Sequence, residues 1–556
     1  MEELEITRTR QWVAGRALIV AGVGAVALAS APSAFAHATL IDTSPIRGEA
    51  LERSPGRVVL RFDESVSTVA GSVRVFDGQA RRVDSGAVTK PADDQVAVGL
   101  PADLPTDTYT VAWRVLSADS HPVRGAFVFS VGEAVGAGVA DRVLDAEGGS
   151  AGVDWALAVT RFAGLGLILL CVGGVAALAF VIDAPVRALW AIVAVCSVLL
   201  IVDSLAWVAF TGAKAAGFGL DAAFRWPLLR DVLETSFGKV WVARALLALA
   251  LAGVALLASR RPSELLQGAA VFLASAIVVT PALSGHARVE GALAVLSDSL
   301  HVLAASAWVG GLAFIGLFLV MAGGDRWSLA TDVIPRFSTI AVGSVAVLVV
   351  SGAVSGFLEV RSWSALWGTT YGLLLVAKVA LLVPLLLLGA LNNRVTVPRL
   401  RAHQLGAGTR RLVVRAVAAE LVLMLVVVGV TTALVAEPPA KAQAASTVVS
   451  RDGRVGPFEY TLVVDPARTG TNEIHVYLLD STGALARVDE IALSASLPVV
   501  DVGPLHFKTT PAGPGHVIAT AAELTLAGTW RIHLDVRKGD FDQWDTTILV
   551  PIRKDS

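Results

Sequence analysis

The chain has 556 residues, 54% of them hydrophobic and 17% charged. Its mean hydropathy of +0.67 is too apolar for a protein soluble throughout, and a net charge of −2, with arginines gathered in short loops, offers no basic face for nucleic acid. Only two cysteines, Cys171 and Cys196, and three methionines occur, so a disulfide framework, a cysteine zinc site and a methionine-rich Cu(I) relay are all excluded.

The first element has the form of a secretory signal. Arg8, Arg10 and Arg16 precede an apolar stretch over residues 17–29, and Ala34 and Ala36 frame a small-residue cleavage site in AFAHATL. Removal of residues 1–36 is expected to leave His37 first, with a free α-amine. Such a terminus offers its amine and its imidazole Nδ1 to one ion as a chelate, a donor pair that suits Cu(II). The alternative is cleavage elsewhere, with His37 an ordinary residue at the entry to a strand.

Residues 37–132 alternate apolar and polar positions, as in RVVLRFDESV, GSVRVFDG, TYTVAWRVLS and GAFVFSVG, which predicts an all-β sandwich. The Gly/Ala/Asp-rich residues 133–152 read as a linker. Eight apolar runs follow within 153–436, at 153–182, 186–212, 238–258, 264–284, 292–321, 333–358, 370–391 and 411–436. Each is close to the roughly 20 residues that cross a bilayer core. Arg187, Arg260, Arg261, Arg326, Arg394, Arg399, Arg401, Arg410 and Arg411 fall on one side, which the positive-inside rule makes cytoplasmic. An even number of spans then puts both ends of the chain outside, in agreement with a cleaved signal. The proline-bearing residues 437–455 read as a second linker, and 456–556 as a C-terminal all-β, immunoglobulin-like sandwich, also outside.

In SADSHPVRG, Asp119 and His121 are two apart and share a face of an extended strand. Together with His37 they would supply an amine, two imidazoles and a carboxylate, a tetragonal nitrogen and oxygen set of the kind Cu(II) prefers. The plain alternative is a turn-capping aspartate and a solvated histidine. Within the membrane region, ionisable residues are expensive and usually functional. His286 falls at the outer mouth after the fourth span. The fifth span places Asp298, His301 and Trp308 on one helical stripe, at offsets of three and seven. Asp298 is positioned to orient His301 through its second ring nitrogen, unless the two only hold the bundle together by hydrogen bonds. Arg161, Asp203, Arg244, Lys378 and Glu420 are further intramembrane candidates, several expected to pair as structure. His475, His506, His516 and His533 are spread over the last domain without ligand-like spacing, which predicts mostly solvated side chains.

Residues 37–132 resemble the CopC family of periplasmic copper-binding proteins through HATLIDTSPIRGE, LRFDESV and TYTVAWRVLSADSHPVRGAFVFSVG. The resemblance implies a β-sandwich that holds Cu(II) through His37, Asp119 and His121, with Glu64 a more remote partner. The Met-rich Cu(I) loop of some members is absent. SDSLHVLAASAWVGGL, PRFSTIAV, YGLLLVAKVALL and LNNRV resemble the CopD copper-resistance membrane domain, over most of residues 153–436. CopC joined to CopD is the arrangement of YcnJ-like proteins, and it implies copper uptake across the plasma membrane. The C-terminal region resembles the β-domain often appended to such membrane regions.

Three functions compete. One is an importer whose outer domain passes Cu(II) to a membrane path through His286, Asp298 and His301. Another is an anchored binding protein that buffers copper or loads other extracytoplasmic copper proteins. The third is an oxidative enzyme, because an N-terminal histidine chelate with a second histidine also builds the copper site of polysaccharide monooxygenases. Asp119 argues against the enzyme, since a carboxylate would fill the position oxygen needs. Eight spans argue against a mere anchor. Copper ions and the lipid bilayer are the expected partners, and no phosphate-binding or phosphorylation motif suggests ATP coupling.

Overall fold

The computed structural model describes residues 38, 40–46, 49–68, 71–117, 122–132, 150–183, 186–321, 329–402, 406–441, 449–480, 486–513, 515–539 and 541–554. The signal segment, His37, Asp119, His121 and residues 133–149 of the first linker lie outside them. The chain divides into two compact units, one formed by the helical region and the other by the two β regions.

The first β region has eight strands: β1 (Leu40–Ser44), β2 (Ala50–Leu51), β3 (Arg57–Phe62), β4 (Val73–Phe76), β5 (Val88–Ala92), β6 (Gln95–Gly99), β7 (Asp107–Leu116) and β8 (Pro122–Val131). They form two four-stranded sheets, β1-β3-β6-β5 and β2-β8-β7-β4, the sandwich that the alternation predicts. In β3 the period of two turns Val58, Leu60 and Phe62 inward. Trp113 meets Phe62 edge-on at 5.3 Å, and Tyr109 stacks on Phe129 at 5.4 Å. Gly125 stands opposite Trp113 in the β7–β8 ladder, where a Cβ would come within 2.6 Å of the indole, so only glycine leaves the ring its place.

The second β region contains β9 (Val449–Val455), β10 (Phe458–Asp465), β11 (Gly470–Leu479), β12 (Glu490–Leu497), β13 (Val502–Phe507), β14 (Thr510–Gly513), β15 (His516–Leu524), β16 (Gly528–Lys538) and β17 (Asp542–Ile552). A five-stranded sheet, β14-β15-β11-β10-β9, and a four-stranded sheet, β13-β12-β16-β17, share one core around the fully buried Trp530, whose indole N–H donates to Leu526 O at 2.8 Å. Strand β9 corrects the linker expected over 437–455. Its sequence VSRDGRV lacks apolar alternation because it is an edge strand, held to β10 by backbone hydrogen bonds with its side chains mostly exposed.

Eight helices are long and apolar enough to cross a membrane: α1 (Ala151–Phe180), α2 (Arg187–Ala216), α3 (Ser236–Arg260), α4 (Glu264–Ser284), α5 (Ala292–Met321), α6 (Ala330–Val360), α7 (Thr370–Arg401) and α8 (Gly408–Leu434). Each coincides with one of the predicted runs. Thr235 and Thr369 cap α3 and α7, their hydroxyls accepting from Gly238 N and Gly372 N at 3.0 Å. The two cysteines lie buried on α1 and α2, with Cys171 Sγ 3.7 Å from Ser197 Oγ. Helix α5 is interrupted by a π-helical turn over Ser306–Gly310, and there the backbones of Gly173 on α1 and Gly310 come into contact.

Candidate functional site

In the first β region the predicted ligands His37, Asp119 and His121 lie outside the described residues, and Glu64 is described. Ala38, next to His37, is only 3% exposed, and the antiparallel register of β1 and β3 pairs Leu40 with Phe62. Glu64 is itself buried, at 7% exposure. Three residues on, Ser67 exchanges backbone hydrogen bonds with Leu116, at 2.8 and 2.9 Å. Leu116 in turn pairs with Pro122 as the last rung of the β7–β8 ladder, and Asp119 and His121 lie outside the described residues.

In the helical unit, Asp298 and His301 project from α5 toward α6, but they do not bond to each other. Asp298 Oδ1 accepts from the Ser355 hydroxyl at 2.9 Å, and His301 Nδ1 lies 3.0 Å from Ser351 Oγ. The Ser351 proton is committed to the Val347 carbonyl at 2.7 Å, the usual back-bond of a helical serine. The imidazole Nδ1–H therefore donates to Ser351, and Nε2 is left with a lone pair. Asp298 therefore does not orient His301 as expected, and the ring nitrogen meets Ser351 of α6 instead. Lys378 of α7 lies within electrostatic reach of both Asp298 and His301. Trp308 sits in the π-helical turn. It lines a separate cavity of about 60 Å³ with Asn392 and Glu420.

His286 begins the short helix His286–Glu290 at the end of α4. At that end, Lys441 bonds to Glu290 and to Leu358 O, and it lies 3.8 Å from Glu359, while Arg361 reaches Glu290 at 3.7 Å. Two other intramembrane charges are held by uncharged side chains. Arg244 Nε donates to Thr280 Oγ1 at 2.7 Å, with its guanidinium 3.9 Å from the Trp241 ring centre. Trp241 stacks on Trp207 at 5.0 Å, and Arg161 covers the far face of the pair at 5.1 Å.

The C-terminal histidines depart from expectation. His506 is exposed, and His533 is half-buried between Asp535 and Asp545 at 3.4 and 3.7 Å. His475 and His516, however, meet: His475 Nδ1 is 3.2 Å from His516 Nε2, and His475 Nε2 is 2.7 Å from Glu473 Oε1. Burial, then the neighbouring His475, push His516 down to about 3 against the opposing pull of Glu473. One half of this cluster was readable, because Glu473, His475 and Tyr477 are two apart on one strand. The other half depends on the pairing of β11 with β15, 41 residues away.

Comparison with known proteins agrees with this layout. The CopC domain family matches residues 40–132, the copper resistance protein D-like N-terminal domain matches 152–296, and the copper resistance protein D family matches 331–434. Copper transport protein CutJ of Bacillus subtilis is 29% identical over 92% of this chain and 95% of its own. Copper resistance protein C of Xanthomonas campestris is 36% identical over 19% of this chain and 88% of its own. Protein YobA of Escherichia coli is 30% identical over 18% of this chain and 82% of its own. With eight membrane-length helices between its β regions, this is a multi-pass membrane protein of the copper-resistance family in which a CopC domain and a CopD membrane domain are joined in one chain.

Proposed function

We propose that the protein carries copper inward across the plasma membrane, capturing Cu(II) on an extracytoplasmic CopC domain through His37, Asp119 and His121 and passing it to the helical domain. Glu64 supports the capture site from its buried position. Both β regions lie outside in this reading, and the arginine-bearing loops lie in the cytoplasm. The ion enters near His286 and steps to His301, about nine residues or roughly 13 Å into α5 at 1.5 Å per residue. The observation that carries the reading is the His301 imidazole, held inside the bundle by Ser351 with Nε2 left as an electron-pair donor. Asp298, fixed by Ser355, offsets the charge of Lys378 so that an arriving cation is not repelled. No chemical step on a substrate is required.

Initial rates of copper accumulation in cells or proteoliposomes test this. His301→Ala is expected to abolish accumulation while the Cu(II) affinity of the outer domain and membrane insertion stay at the parental level. Parental accumulation by this variant would overturn the path through α5. Equal accumulation with and without the parent protein would overturn transport itself, leaving an anchored copper-binding protein.

A further inference from the structure

The second β region carries a polar stripe on a sheet face. The period of two in β11 turns Ile474, Val476 and Leu478 into the core and Glu473, His475 and Tyr477 outward. Register places Asp465 of β10 opposite Glu473, and His516 of β15 opposite Tyr477. The stripe does not face open solvent. It forms one wall of a cavity of about 200 Å³ whose other wall is Ala126, Phe127 and Val128 of β8, and His516 is 5% exposed.

The hydrogen bonds fix the tautomers. Glu473 accepts from Nε2–H of His475, so the Nδ1 of His475 bears a lone pair and receives the Nε2–H of His516. A carboxylate that holds the far nitrogen of an imidazole is the usual partner of a metal-binding histidine. The two inner nitrogens, 3.2 Å apart, subtend about 100° at an ion roughly 2.0 Å from each, within the range of two neighbouring ligands. The Tyr477 ring, stacked on His516 at 4.2 Å and 16°, keeps that imidazole in plane. A neutral His516 needs only to move its proton from Nε2 to Nδ1 to become a ligand.

We propose that His475 and His516 form a second copper(II) site, distinct from the one at the amino terminus, with Glu473 as the group that orients His475. Imidazole nitrogens and carboxylate or water oxygens suit Cu(II), which stands at the top of the divalent affinity order. Among the described residues no three His, Cys, Asp or Glu side chains form a closed ligand set. The site therefore holds copper through two protein nitrogens, with water completing the shell in a cavity that Asp465 also lines. So open a shell exchanges its ion readily, which fits a waypoint better than a store. The geometry stands by itself, and the choice of copper as the ion rests on the function proposed above.

The test is Cu(II) titration of the purified full-length protein, read by equilibrium competition and by electron paramagnetic resonance. His516→Phe keeps the aromatic stack, and it is expected to bind one equivalent fewer than the parent and to lose one set of nitrogen couplings. Glu473→Gln is expected to retain that equivalent with about tenfold weaker affinity. His121→Ala should remove a different equivalent, so a chain bearing His121→Ala with His516→Phe loses both. If His516→Phe fails to fold, His475→Gln on the opposite strand takes its place with the same expected loss. Parental stoichiometry and spectra in whichever of the two variants folds would overturn the second site. Parental stoichiometry in His121→Ala would instead overturn the first site and leave this one standing.

Discussion

The Ser351 hydroxyl of α6 receives the Nδ1–H of His301 on α5 at 3.0 Å and hands its own proton to Val347 O. One serine thus sets both the ring orientation and the tautomer of the imidazole. Ser351→Ala is expected to lower copper accumulation about tenfold or more, as loss of an outer partner does at metal ligands. Ser351→Thr, which keeps the oxygen, should hold most of the parental rate. Initial uptake rates at matched protein levels measure both, and equal rates for alanine and threonine would show that the serine does not act through His301.

Gly173 and Gly310 bring α1 and α5 together without side chains between them; a Cβ on Gly173 would overlap the main chain of Ser306 and Gly310, and one on Gly310 the Leu169 carbonyl. Relief requires the helices to separate. Gly310→Ala is expected to cost about 1–3 kcal/mol, the scale of an overpacked core, visible as a lower thermal midpoint in detergent. Gly166 on the same α1 has nothing within 4 Å of its Cβ position, so Gly166→Ala should leave the midpoint unchanged.

Acid sensitivity of the CopC domain should pass through Asp84. Burial pushes its carboxyl up, but the Arg82 guanidinium at 2.7 and 2.9 Å and the backbone N–H groups of Val75 and Gly86 at 2.8 Å outweigh burial and hold it below 3.8. With the folded value depressed, the stabilisation is fully present above the unfolded value and disappears as pH falls through the folded one, below about pH 4. Asp84→Asn is expected to cost about 2 kcal/mol at neutral pH, the scale of hydrogen bonds to a charged group, and to flatten the acid limb of a stability–pH curve. A parallel acid limb in the variant would show that other carboxylates control it.

The proposed amino-terminal chelate is open to a one-residue test. An alanine inserted after Ala36 keeps the His37 imidazole but moves the free amine away from it. Cu(II) affinity at the CopC domain is expected to fall by several orders of magnitude. In the parent, affinity should decline as pH drops below about 6.5, because imidazole and amine bind only when unprotonated. Titration by competition reads both effects.

All eight membrane helices were legible, because a run of apolar residues long enough to span a bilayer admits few other folds. The sandwiches were legible from alternation, except at β9, where an edge strand buries too little to write a pattern. The proposed site in the bundle was legible to the level of the helix face. That Asp298 and His301 share a side of α5 follows from their spacing, but their partners, Ser355 and Ser351, lie on α6 more than fifty residues away and carry no sequence mark. The π-helical turn at Trp308 carried no mark, because it has the same composition as the helix around it. The His475–His516 contact was hidden for a related reason, since it is a property of strand register and not of spacing along the chain.

The burial of Cys171 and Cys196 against one another's helices, at 0% and 7% exposure, leaves the wild-type sequence with no thiol at its surface. Maleimide chemistry can therefore be directed to any chosen position without first stripping the native cysteines. A single cysteine at Arg261, between α3 and α4, or at Trp363, just after α6, would be the only reactive sulfur on the molecule. Reagents that cannot cross a bilayer would then report, residue by residue, which loops face the cell interior.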